Sequence, residues 1–192
     1  MTVSLVQAEP SLNFPEALEA LAPPPLLLPG ESLKGYQILR HAIFAELEPR
    51  SAIEWLLAID IVELSWEIQR YRLLRHRLLE KSRQRAIADA LNMIDVMGLS
   101  EDARDDARRY TALNARAWRY DKEAATEIEG RLASFGHDDA SIDSDVLMHA
   151  RELYIVYEGL IISAQHRRTM LLREIEGRRH RIRAGARSTT RL

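Results

Sequence analysis

Apolar positions fall into two long runs free of proline, Ser51–Met97 and Asp143–Arg183, each repeating at intervals of three and four. That period is the signature of a helix with one buried face. In the second run Val146, Ala150, Leu153, Tyr157, Leu160, Ala164, Leu171 and Ile175 form the stripe. The first run differs between its halves. From Ile53 to Trp66 it is apolar nearly all round, with Trp55, Leu56, Leu57, Ile59, Ile61, Val62 and Leu64, so this half is predicted to be buried on every side. Beyond it the pattern narrows to Ile68, Tyr71, Leu74, Leu78, Ile87, Leu91 and Ile94.

Punctuation between the runs supplies the remaining elements. Tyr36, Leu39, Ile43 and Leu47 predict a shorter helix that Pro49 ends. Ser51-Ala52-Ile53-Glu54 is a capping box and marks the start of the first long helix. If unbroken, that helix runs about 70 Å at 1.5 Å per residue, with Ser82 the candidate for a bend. Gly98 and Ser100 read as a C-cap followed by a fresh N-cap. Glu101, Asp102, Asp105 and Asp106 suit the positive end of the next helix. Its apolar face is read as Ala107, Tyr110, Leu113 and Ala117, continuing in similar steps through Trp118, Ala125, Ile128 and Leu132 to Gly136. His137–Ser144 reads as a loop.

The fold expected is all-α: an elongated antiparallel hairpin of two long helices, coiled-coil-like, with shorter helices packed along it. Three regions are expected: a Pro-rich flexible arm over 1–30, a single helical domain over 31–184 and a basic tail over 185–192. The order of Pro23-Pro24-Pro25 and Pro29-Gly30 favours extended backbone in the arm, where Phe14, Leu18 and Leu21 suit a short helix or a docking peptide.

Composition narrows the functional classes. No cysteine is present, which removes disulfides, thiolate nucleophiles, iron–sulfur clusters and thiolate zinc sites. The apolar stretches are short and charge-interrupted, so no membrane partner is expected. Glu9 precedes any basic residue, unlike a signal peptide, and the protein is read as cytoplasmic. Net charge is only −2, but it is segmented. Summing Lys and Arg against Asp and Glu, residues 1–64 carry −6, 65–85 +5, 86–107 −5, 108–122 +4, 123–164 −7 and 165–192 +7. Such blocks are expected to fix how helices, or two copies, lie against one another.

Candidate chemistry is sparse. There is no Glu-x-x-His, no H-E-x-x-H, no Gly-rich phosphate loop and no G-x-S-x-G. Neither a cofactor nor a metal site is expected, because pairs such as Asp145/His149 and Glu176/His180 supply two ligands where zinc needs three or four. Asp60, Glu63 and Glu67 sit on the most apolar helix. They read either as acid–base groups raised by burial or, preferably, as partners of Arg70 or Arg151 that set register. The basic C-terminal helix is the foremost binding candidate, through Arg167, Arg168, Arg173, Arg178, Arg179, Arg181 and Arg183. Arginine suits phosphate recognition, although no aromatic residue interleaves with them. After Ile175 only Ile182 suits burial, so this end is expected to project beyond the core.

Two groups of motifs resemble a family of alphaproteobacterial helical proteins of uncharacterised function. One comprises Leu28-Pro29-Gly30-Glu31, Glu48-Pro49-Arg50, Glu54, Asp60–Glu67 and Arg70; the other is Ala164–Arg168 with Leu172-Arg173-Glu174-Ile175. The resemblance spans roughly residues 28–183, matches poorly in the middle, and implies no activity or site. A non-enzymatic scaffold or interaction protein with a protein partner or a second copy is the expected function. The alternative is a nucleic-acid-associated protein contacting phosphates through the C-terminal arginines. An enzyme using the carboxylates of the first long helix stands third.

Overall fold

The computed structural model describes residues 25–189, with side chains to residue 185. The sequence readings for residues 1–24 and for the last few tail residues lie outside the described residues. Among those described the chain is all-helical: α1 (Leu33–Leu47), α2 (Ala52–Asp95), α3 (Glu101–Tyr120), α4 (Lys122–Ser134) and α5 (Asp139–Thr189). They fall into two compact units. Unit 1 holds the described residues up to Arg70 and those from Ile161 onward; unit 2 is Tyr71–Leu160.

In unit 1, the Ser32 hydroxyl accepts from the Gly35 amide at 3.2 Å and starts α1. Glu48 closes α1 in the left-handed region, φ 42°, and Pro49 prevents continuation. The capping box forms: Ser51 Oγ accepts from the Glu54 amide at 3.3 Å. Glu54 reaches back one residue further than expected, accepting from the Arg50 amide at 2.9 Å. Tyr36, Phe44, Trp55, Ala58, Ile59 and Val62 make the core of this end. Edge-to-face pairs Tyr36–Trp66 (5.6 Å) and Phe44–Trp55 (5.1 Å) lock it. Leu64, Ile68 and Ala164 form a second cluster with Leu171 against it. The start of α2 is not buried all round: Ile53 and Leu56 are exposed, because α1 and α5 cover only part of its circumference.

In unit 2, Ala86, Ile87, Ala90 and Leu91 of α2 pack with Ile128 and Leu132 of α4 and Ile142 and Val146 of α5. The helix passes Ser82 without interruption. Gly98 takes a left-handed φ of 77°, as a C-cap glycine should. Three readings are corrected here. The expected continuous run to Gly136 breaks at Asp121, whose carboxylate accepts from the Glu123 and Ala124 amides and starts α4. The inward face of α3 is Thr111 and Ala115, leaving Tyr110 and Leu113 exposed; the polar Thr111 is drawn in by a 2.6 Å bond to Asp95. The loop expected over 137–144 is shorter, since Asp138 caps the Ser141 amide at 2.8 Å and α5 begins at Asp139.

The stripe of α5 also shifts. Ile142, Val146, Ala150, Ile161, Ala164 and Ile175 are buried, whereas Leu153 and Leu160 are exposed. Ile182 is exposed, and α5 runs on through Thr189, past the boundary expected at 184.

Candidate functional site

The carboxylates and arginines singled out in the sequence meet in unit 1. Glu54 is 3% exposed, and burying a carboxylate demands a partner. Arg179 supplies it, with Nη2–Oε2 at 2.9 Å. The same Nη2 donates to the backbone oxygens of Leu47 (2.6 Å) and Glu48 (3.0 Å). Those oxygens sit at the C-terminal end of α1, where the helix leaves carbonyls without intrahelical donors. One guanidinium therefore neutralises a buried acid and caps a helix. Bonding to Arg179 holds the Glu54 carboxyl below its usual range.

A second junction ties the residues before α1 to α2. Arg70 Nε donates to Glu31 Oε1 at 2.7 Å and its Nη2 to Glu31 Oε2 at 2.8 Å, a bidentate pair. Arg70 also donates to the Leu26 carbonyl. Glu31 further accepts from Trp66 Nε1 (3.3 Å) and the Leu28 amide (2.8 Å). With Arg70 as the leading cause, its carboxyl is lowered to about 2. Arg70 was expected to serve Asp60, Glu63 or Glu67; Glu31 holds it instead, and nothing in the sequence spacing linked positions 31 and 70.

Arg167 reaches Glu67 at 3.2 Å and Arg168 reaches Ser65 Oγ at 3.3 Å. Asp60 and Glu63 have no ion pair among the described residues, and Arg151, the other expected partner, has none either. Asp60 is an exposed residue, yet desolvation against the groove wall holds its carboxyl above the usual value. Glu63 is raised first by burial and then by the charges of Asp60 and Glu67. These three acids line a groove of about 480 Å³ with His166, Arg167 and Met170. Among the described residues no group of three or more histidines and carboxylates is disposed to hold a metal ion.

The seven C-terminal arginines are thus not equivalent. Arg167, Arg168 and Arg179 are engaged with α1 and α2, while Arg178 and Arg181 pair with Glu174 at 2.7 and 3.4 Å. Arg173 and Arg183 are exposed and make no hydrogen bond or ion pair among the described residues. Histidine pairing also differs from the sequence reading: His149 meets Asp89 at 3.1 Å, not Asp145.

No described helix is long and apolar enough to cross a membrane. No family model, curated protein or solved structure matches the chain.

Proposed function

We propose that the protein is a non-enzymatic helical scaffold that pairs with a second copy of itself through the outer face of α5. The observation that carries this is in unit 2. Leu147, Met148, Ile155 and Val156 are 55%, 73%, 62% and 52% exposed. At 100° per residue, Met148 and Ile155 share one bearing and lie on the far side of the helix from the buried Val146 and Ala150. Apolar side chains gathered on a solvent face mark interaction surfaces.

Charge supports a second copy as the occupant. Arg151 and Glu152 are both exposed, lack ion pairs among the described residues, and flank the apolar line on opposite sides. Two α5 helices related by a two-fold axis parallel to them would set Met148 on Met148 and Ile155 on Ile155. Each Arg151 would then stand beside the other copy's Glu152.

We also propose that α2 and α5 form an antiparallel hairpin. Supporting it, partners run in opposite order within each unit: Glu54–Arg179 and Glu67–Arg167 in unit 1, and Arg75–Glu158 and Arg83–Asp143 in unit 2. The nucleic-acid alternative has less support, since five of the seven arginines are engaged internally.

Light scattering across a concentration series tests the proposal. The expected result is a dimer that Ile155→Glu converts to monomer with helical content unchanged. A wild-type monomer at every concentration, or a dimer indifferent to Ile155→Glu, refutes it.

A further inference from the structure

The sequence carries two strongly basic blocks, 65–85 and 108–122. In unit 2 the fold sets part of one beside part of the other: Arg119 Nη1 of α3 donates to Gln84 Oε1 of α2 at 3.2 Å. Acids stand against this positive charge, with Arg83 held by Asp139 at 3.3 Å and by Asp143 at 2.6 Å. Glu80 lies 3.9 Å from Arg119, and Asp89 lies 4.0 Å from Arg85 and 3.1 Å from His149. Lys81 makes no ion pair among the described residues.

A cavity of about 450 Å³ opens at this junction, a size typical of small-molecule sites. Lys81 and Arg85 line it on one side, and Ala88, Ala112, Ala115 and Leu153 supply apolar wall. Between them lies Ser82, whose hydroxyl can donate to a ligand acceptor.

We propose that this cavity binds a small amphipathic carboxylate. Its headgroup accepts from the Lys81 ammonium, the Arg85 guanidinium and the Ser82 hydroxyl, and its hydrocarbon body lies over Ala88, Ala112, Ala115 and Leu153. Arginine offers the carboxylate a planar fork and lysine a point charge. The alanines leave the space that an alkyl chain fills.

Titration calorimetry of the full chain with decanoate tests the assignment, with decylammonium as the cation of matching chain length. Decanoate is expected to bind one site per chain and decylammonium not to bind. Ala112→Trp, a change at an exposed wall residue, is expected to block binding. Lys81→Gln and Arg85→Gln are each expected to weaken it on the order of tenfold, the loss of a charge-assisted hydrogen bond. Circular dichroism melts establish that each variant is folded. Absence of decanoate binding, equal binding of both amphiphiles, or binding unchanged in folded Ala112→Trp and Lys81→Gln overturns the proposal.

Discussion

Arg179 and Glu54 lie 125 positions apart in the chain and meet at 2.9 Å, with the Glu54 side chain 3% exposed. The geometry commits α5, the start of α2 and the end of α1 to one another through a single side chain. Arg179→Ala leaves a buried acid without its counter-ion and two carbonyls without their guanidinium donor, and is expected to cost about 3–5 kcal/mol. Arg173→Ala, at an exposed site, should stay within about 0.5 kcal/mol. Urea unfolding of both variants makes the comparison, and a double-mutant cycle with Glu54→Gln isolates the pairwise part.

Acid should loosen unit 1 in a defined window. The Glu31 carboxyl drops from an ordinary 4.5 to about 2 on folding, and Glu54 moves in the same direction. A depressed carboxyl stabilises the fold fully above its unfolded value, and this contribution is lost as pH falls through the folded one. Stability should therefore decline between about pH 4.5 and 2. Arg70→Met should flatten that decline as measured by urea midpoints across the range.

Glu63 predicts the reverse. Its carboxyl is raised, by burial first and then by Asp60 and Glu67, so ionisation at neutral pH opposes folding. Glu63→Gln should raise the urea midpoint at pH 7, and the gain should shrink as pH falls and the wild-type carboxyl becomes protonated. A lower midpoint at pH 7 would show that the charge is used rather than merely tolerated.

Asp121 is the hinge between α3 and α4, accepting from two amides of α4. Asp121→Ala should cost about 1 kcal/mol, the usual worth of an N-cap, and Asp121→Asn should restore most of it.

Local signals were the legible part of this fold. The box at Ser51, the glycine at Gly98 and the three-and-four rhythm of both long runs each specify backbone within one or two turns, and each appears in the structure. What the sequence concealed is partner choice over distance. Glu31 reads only as the opening residue of the helical domain, yet it binds Trp66 and Arg70; periodicity carries no information about that meeting. Thr111 is buried where Tyr110 and Leu113 were expected, because a hydroxyl with an acceptor such as Asp95 is inexpensive to bury. The arginine-rich end illustrates the same limit: composition counts charges, whereas Glu54, Glu67 and Glu174 decide which are already spoken for.

Unit 2 is one continuous stretch of chain, whereas unit 1 is assembled from two stretches lying on either side of it. A ribosome delivers the two differently. Every residue of unit 2 is added to the chain before Arg179, so Glu54 is synthesised with no counter-ion and waits for one. A nascent chain halted before the second stretch of unit 1 would leave Leu64 and Ile68 without Ala164 and Leu171, and that uncovered apolar surface is what chaperones would meet.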